Sequence, residues 1–372
     1  MKKVKIMIKK RIYTYLGIAS VLLMLTACVG TAIVPKTENK TVPASYASTQ
    51  DTVNSAQVKW KNFFSDPYLT ALIDEALSKN QELNIMLQEI SIAQNEIKAR
   101  KGEYLPFVGL GAGAGMEKVS RYSSRGALEE EHEILPGKKF PEPLQDYTIG
   151  LNASWELDIW KKLRNAKKSA VHNYLSSVEG KNFMTTNLIA EIANSYYELL
   201  ALDNQLEILK KSIEIQQNAM TIVKLQKESA RATELAVKKF EAEVLKNQSH
   251  QFYLMQQITE TENKINFLVG RFPQPVQRDS QTFTSLALQT INNGIPSQLL
   301  ENRPDIKQAE QQLMAAKLNV KVAKAQFYPS LRITGAAGYH SFDTKHLFDS
   351  PLSLAYTLAG DLMTPLLNRN AI

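Results

Sequence analysis

Five histidines stand at positions 132, 172, 250, 340 and 346, and no two have the spacing of a metal-ligand pair. His340 and His346 fall near one predicted loop. Cys28 is the only cysteine, which excludes a disulfide framework and any Cys-rich metal site. From Gly109 to Gly115 every second residue is glycine, but no helix follows, so this is not a dinucleotide loop. Glu156 and Asp158 close a strand-like stretch and read as polar residues that could line a passage. No catalytic constellation emerges. The sequence therefore predicts a protein that is not an enzyme and that takes no cofactor or metal. What remains is the chemistry of Cys28 and of polar residues that could line a passage.

Cys28 follows an address. Residues 1–27 hold six basic residues and no acid, then sixteen uncharged residues from Ile12 to Ala27. That run is too short for an ordinary membrane helix, and reads as a secretory signal. It ends in Leu25, Thr26, Ala27 and Cys28, the pattern of a bacterial lipobox. The reading is a lipoprotein signal peptide over 1–27, with Cys28 as an N-palmitoyl and S-diacylglycerol cysteine. Val29 follows it, and not the aspartate associated with inner-membrane retention. Acyl chains contribute about 0.8 kcal/mol per buried methylene, so several make a stable anchor. Residues 28–56 read as a lipid-anchored tether. The formal charge of +7 also comes from this segment, since the rest of the chain balances 38 basic against 37 acidic residues. A nucleic-acid partner is not expected.

The elements that would position a passage are duplicated. Residues 94–115 (QNEIKARKGEYLPFVGLGAGAG) match 317–338 (KLNVKVAKAQFYPSLRITGAAG) at an offset of 223, Pro106 falling on Pro329 and Gly115 on Gly338. Tyr147 and Thr148 match Tyr356 and Thr357 at an offset of 209. The 14-residue difference is extra loop between about Tyr122 and Leu144 in the first copy. Each copy reads helix, strand, loop, strand.

The strands alternate with period two. In the second, Tyr147, Ile149, Leu151, Ala153, Trp155, Leu157 and Ile159 share a face opposite Thr148, Gly150, Asn152, Ser154, Glu156 and Asp158. In the first, Val108, Leu110, Ala112 and Ala114 oppose Phe107, Gly109, Gly111 and Gly113. The third sets Leu331 and Ile333 against Arg332 and Thr334. The fourth sets Tyr356, Leu358 and Leu362 against Thr357 and Asp361, and the repeat carries it to near Leu367. One apolar face and one polar or glycine face fit a sheet with lipid outside and water inside. A soluble β-sandwich would share the alternation but needs a second sheet, for which there are no strands. Four strands cannot close a barrel, and open edges in lipid leave backbone groups unpaired. The smallest such barrels have about eight strands, so several chains must share one.

Between about Lys161 and Leu268 there is no proline, and Gly180 is the one glycine. Leu188, Ile192, Leu199, Leu202, Leu206, Leu209, Ile213, Met220 and Val223 keep a 4–3 spacing that only Ser195 and Gln216 interrupt. Val237, Phe240, Val244, Leu254, Ile258, Ile265 and Leu268 form a second seam. The two go out of step near Ser229–Thr233, which reads as a turn with Thr233 capping the next helix. A helix of this length spans about 100 Å. Further on, Arg303, Pro304 and Asp305 read as a helix start, with Asn302 as its N-cap.

The same residues resemble the TolC-like outer-membrane efflux family, in particular its lipoprotein members that work with resistance-nodulation-division pumps. The resemblance runs over 28–372 and rests on three motifs. These are Trp60 to Ile73 (WKNFFSDPYLTALI), Trp155 to Trp160 (WELDIW) and Asn302 to Ile306 (NRPDI). It implies an α+β membrane protein, a homotrimer in which four β-strands per chain build one outer-membrane barrel continued by a long periplasmic α-helical tunnel. The tandem repeat then divides as 57–273 (first), 274–295 (linker) and 296–372 (second, incomplete), the second lacking a long hairpin. It implies an outer-membrane channel of a tripartite efflux system, a passive exit duct for drugs and small molecules. A periplasmic adaptor (membrane fusion) protein would join it to an inner-membrane pump. A type I polypeptide-secretion duct, a periplasmic adaptor lipoprotein and a non-functional channel fragment are the alternatives. The family usually has glycine where Lys161 stands, so the strand-to-helix bend has to be made without it.

Candidate lumen-facing residues are Asn152, Glu156, Asp158, Arg332 and Asp361; Asp158 would equally favour the start of the long helix through its dipole. The resemblance puts adaptor contact at the hairpin tip, on Ser229, Arg231, Thr233 and Glu234. Glu129, Glu130, Glu131 and Glu133 in the first loop read as a solvated extracellular face.

Overall fold

The computed structural model describes residues 41–46, 52–56, 58–280, 283 and 291–365. Cys28 and the signal segment lie outside them. The chain divides into two units, 1–44 and 45–372, and of the first only the irregular residues 41–44 are described. In order, the second unit has helices α1 (Trp60–Phe63), α2 (Pro67–Lys79) and α3 (Gln81–Tyr104). Strand β1 (Phe107–Glu117), helix α4 (Ser124–Glu131), a two-stranded ribbon β2 (Glu133–Leu135) and β3 (Lys138–Lys139), and strand β4 (Leu144–Leu157) come next. Then come the long helices α5 (Lys162–Glu228) and α6 (Glu234–Val269), and helices α7 (Pro296–Asn302) and α8 (Pro304–Gln326). Strands β5 (Ser330–Ser341) and β6 (Leu354–Met363) close the order, with a 3-10 turn at Thr344–His346 between them. The fourth strand thus ends at Met363, short of the expected Leu367, which is outside the described residues.

The four long strands form one antiparallel sheet in the order β1-β4-β5-β6. β4 of the first repeat pairs directly with β5 of the second. The register keeps the two expected faces apart across every strand. Leu110 pairs with Leu151, Leu151 with Ala337 and Ala337 with Tyr356, while Asn152 pairs with Gly109 and Ala336. Two glycines make the β4–β5 seam possible. A Cβ on Gly338 would lie 2.3 Å from the Ile149 carbonyl oxygen, and one on Gly150 would lie 2.7 Å from that of Ala337. Both contacts are with backbone, which cannot swing aside.

α5 is one 67-residue helix. Its first part lies between α3 and α8, where Ser169 Oγ donates to Asn319 Oδ1 at 2.7 Å and His172 Nδ1 lies 2.8 Å from Gln311 Oε1. Its middle builds the core: Ile192, Tyr196, Leu199 and Leu200 pack with Leu69 and Ile73 of α2 and Ile265 and Val269 of α6, all fully buried. Beyond that it pairs with α6 alone along the expected seam, with Ile213, Val237 and Val244 buried. Both interruptions of that seam are visible. Gln216 Oε1 accepts from Asn247 Nδ2 at 2.8 Å, and the hydroxyl of Ser195 is buried without a partner.

Polar staples fix the core. Asp66 N-caps α2 through the amides of Tyr68 and Leu69, and also accepts from the Tyr196 hydroxyl at 2.8 Å. Burial and this carboxylate together push the Tyr196 phenol well above its ordinary pKa. Arg278 donates to Asp203 at 2.5 and 3.0 Å and to Glu262 at 2.5 Å. Burial pushes the Asp203 carboxyl up, but the hydrogen bonds from Arg278 and Ser280 outweigh it and hold the group below the usual range.

Two local expectations need correction. Asn302 does not cap α8; it ends α7, and Arg303 is the N-cap residue. The reason is Pro304, which forces the residue before it into extended backbone, here φ −83° and ψ 116°. The segment read as a tether is also partly fastened. Ser55 N donates to Asn292 O at 2.9 Å, and Gln298 Nε2 donates to Thr52 O at 2.9 Å.

Candidate functional site

The sheet presents a wall rather than a pocket. Its polar face is built in cross-strand rows. One row is Gly111, Gly150, Gly338 and Ala355, without a side chain larger than a methyl. The next inward is Gly109, Asn152, Ala336 and Thr357, followed by Phe107, Ser154, Thr334 and Ala359. The last is charged: Glu156, Arg332 and Asp361 are direct neighbours in register. Asn152, Arg332 and Asp361 are exposed on this face. Glu156 is half-buried there and pairs with Lys162 at the start of α5. The other face carries Leu110, Leu151, Tyr356, Leu358 and Leu362, all exposed. Among the described residues, both edges, β1 and β6, have an unpaired side.

Asp158 departs from the expectation of a lumen-facing side chain. It sits one residue past the end of β4, and its side chain is 1% exposed. Its carboxylate accepts from the Leu163 and Arg164 amides, each at 2.9 Å, and pairs with the Arg164 guanidinium at 3.2 Å. It is the anion at the N-terminus of α5, where free amides and the helix dipole favour negative charge. The bend itself falls on Lys161, which adopts φ 60° in the left-handed region. A non-glycine residue pays roughly 1 kcal/mol or more for that conformation.

Aromatic residues that the sequence placed only on a strand face and in a motif tie strand ends to helix ends at this level. Trp155 Nε1 donates to Tyr104 O at 3.1 Å, and Trp160 Nε1 donates to Pro329 O at 2.8 Å. Trp160 also stacks on Tyr328 with centroids 4.7 Å apart. Tyr104-Leu-Pro106 and Phe327-Tyr-Pro329 are equivalent positions of the two repeats, so the duplicated motif was the available signal.

The hairpin-tip residues do come together. Ser229 is the C-cap of α5 and donates to Leu225 O at 3.1 Å. Ala230 takes φ 58°, and the Arg231 amide closes the turn on Gln226 O at 2.8 Å. Thr233 caps α6 as expected, its hydroxyl accepting from Ala236 N at 3.3 Å. Glu234 pairs with Lys227, whose hydrogen bond and charge lower the Glu234 carboxyl below its ordinary pKa. The Arg231 and Thr233 side chains remain exposed.

In the first loop, Glu129 and Glu130 are not free. They pair with Arg125 and Arg121, and Glu133 accepts from Gly137 N at 2.8 Å. Among the described residues no group of three or more potential ligands could hold a metal ion, and no helix is long and apolar enough to cross a membrane.

The family model for the outer membrane efflux protein matches residues 72–271 and 295–367. The pyoverdine export outer membrane protein OpmQ of Pseudomonas putida is 28% identical over 342 residues, covering 91% of this chain and 70% of its own length. The toluene efflux pump outer membrane protein TtgI of Pseudomonas putida is 27% identical, with 86% and 65% covered. The cation efflux system protein CusC of Escherichia coli is 27% identical, with 83% and 65% covered. The chain thus spans about two thirds of the length of these relatives. Among solved structures, a membrane protein from Pseudomonas aeruginosa superposes with a TM-score of 0.76 at 22% identity, over 91% of this chain and 75% of the other. Crystal structures of CusC give 0.71 at 23% identity, over 89% and 74%. The residues matched by the family model extend through the sheet, the long hairpin and the repeat.

Proposed function

This chain belongs to the outer membrane efflux protein family, and on that premise we propose that it supplies the outer-membrane exit duct of a tripartite efflux system. The observation that carries the reading is the sheet. Its apolar face is exposed, its opposite face is polar and glycine-lined, and both edges lack partners among the described residues. Lipid tolerates no open edge, because unpaired backbone amides and carbonyls have no water to turn to. Other copies must supply the missing pairs, and a homotrimer closes the barrel with four strands from each chain. The polar face then lines water, and α5 and α6 continue the wall into the periplasm.

Conduction is passive in this scheme. An inner-membrane resistance-nodulation-division pump supplies the energy, and a periplasmic adaptor docks at the hairpin tip around Ser229, Arg231, Thr233 and Glu234. Drugs and other small molecules are the cargo. The relatives are named for pyoverdine, toluene and cations, which share little chemistry. That variety suits a wide duct whose wall does little selecting. A periplasmic adaptor reading has no use for a sheet with an exposed apolar face. Acylation of Cys28 would add a second hold on the membrane, and intact-mass measurement of the mature N-terminus decides it.

Thiol labelling tests the wall. In isolated outer membranes, Asn152→Cys should react with a membrane-impermeant maleimide, whereas Leu151→Cys should be shielded by lipid. Equal labelling of both variants would overturn the reading.

A further inference from the structure

The helices that leave the sheet change charge along their length. In α5, residues 162–171 carry Lys162, Arg164, Lys167 and Lys168 and no acid. Between 172 and 203 the acids Glu179, Glu191, Glu198 and Asp203 face a single Lys181. α8 repeats the pattern in reverse. It has Asp305 and Glu310 near its start, then no acid from 311 to 326, with Lys321 and Lys324 close to its end.

The two basic ends lie side by side. Ser169 Oγ bonds Asn319, and Trp160 Nε1 bonds Pro329 O, so Lys321 and Lys324 run alongside residues 161–168. The nearby acids are already engaged, Glu156 by Lys162 and Asp158 by Arg164. Lys161, Lys167, Lys168, Lys321 and Lys324 have no anionic partner among the described residues. Like charges crowded within a Debye length of about 8 Å repel one another. A collar of this kind calls for outside counter-charge.

Its position says which. The collar begins at the Trp160–Tyr328 stack, and amphipathic rings of this kind sit where hydrocarbon meets water. Lys167 and Lys168 are within about 9 Å of the start of α5 along the helix, at ~1.5 Å per residue. Lysine stems of this length reach back toward an interface.

We propose that this collar binds the phosphodiester headgroups of anionic phospholipids in the leaflet facing the periplasm. The proposal rests on the membrane placement argued above. Trp160, 46% exposed, is a built-in reporter. With Trp60→Phe and Trp155→Phe in the full chain, it becomes the sole tryptophan. Its fluorescence is then read in vesicles containing brominated phosphatidylglycerol or brominated phosphatidylcholine.

The expected result is a preference of about fivefold for the anionic lipid at low salt, weakening in high salt. Lys161→Gln, Lys168→Gln, Lys321→Gln and Lys324→Gln together should bring it below about twofold while circular dichroism is unchanged. Equal quenching by both lipids in the parent, or a preference that survives the four substitutions, overturns the proposal. So does a variant that shifts the reversal potential of the duct but keeps the lipid preference, which would turn the collar toward the lumen. Absence of quenching by either lipid would instead remove the membrane placement.

Discussion

In the helical body apolar side chains point at one another; in the sheet they point away. Ile192, Leu199 and Ile265 are fully buried, while Leu110, Tyr356 and Leu358 are each more than 70% exposed. Both regions follow a strict hydrophobic period, 3.5 in the helices and 2 in the strands. The period therefore reports that a face is apolar, and the chain's own partners decide what covers it. α5 has α2 and α6 to meet its stripe. Among the described residues nothing covers the apolar side of the sheet, which is the condition of a face that meets lipid.

The sharpest way to break that contrast is charge on the outward face. Leu151→Arg should cost about 2–4 kcal/mol at mid-membrane and abolish heat-resistant oligomers on semi-native gels. Asn152→Arg, one residue along, should assemble and alter single-channel conductance. If the two behaved alike, the sheet would have no lipid side.

The next effect separates two positions within one row of the polar face. Gly338→Val forces a side chain into the β4 backbone and should cost about 1–3 kcal/mol or more, splitting the two repeats. Gly111 is in the same row, but a Cβ there meets nothing within 4 Å. Gly111→Val should keep the oligomer intact, as read by melting in detergent.

A smaller effect tests the helical side. Asp203→Asn weakens a half-buried pair and should cost about 1–2 kcal/mol by thermal unfolding. The sign with pH follows from the depressed carboxyl. Because the folded group ionises more readily than the unfolded one at about 3.9, its stabilisation is present above that pH. It is lost as pH falls through the lower folded value. The wild-type melting temperature should fall more steeply than that of Asp203→Asn below about pH 4, and parallel acid limbs would exclude this role. Neither change should disturb the sheet.

The smallest effect lies where the two regions join. Lys161→Gly relieves a left-handed lysine and should raise stability by up to about 1 kcal/mol, seen as a small rise in melting temperature. Lower stability would mean that the lysine side chain contributes more than its backbone conformation costs.

Much of this was legible in the sequence because alternation is a residue-by-residue signal. The faces assigned from Phe107–Met116 and Leu331–Thr334 are the faces the register keeps, and so are those from Tyr147 as far as Leu157; the last two residues of that assignment, Asp158 and Ile159, lie beyond the strand. The repeat offset anticipated β5 and β6, and Thr233 capped where expected. What could not be read depended on where elements stop and on what lies across space. Asp158 belongs to the helix because β4 ends one residue earlier. Arg303 rather than Asn302 is the cap because α7 is a helix of its own. α4 and the β2–β3 ribbon are too short to show a period, and are held by pairs such as Arg121–Glu130 and Arg125–Glu117. The direct pairing of β4 with β5 joins residues almost 200 positions apart, beyond any local pattern.

The unbroken length of α5 has a mechanical meaning. Sixty-seven residues make a rod of about 100 Å, fixed at one end by Asp158 and Trp160 and free of α2, α3 and α8 at the other. Were the rod to turn together with the helices packed on it, Lys161 would be the point at which it meets the sheet. A tilt of about 5° there swings the tip through about 9 Å, roughly the spacing between packed helices. Leverage of this kind converts a small rearrangement beside the membrane into the width of a whole helix at the far end. The same ratio, run backwards, means that a load applied at Ser229–Thr233 reaches the strand ends as torque.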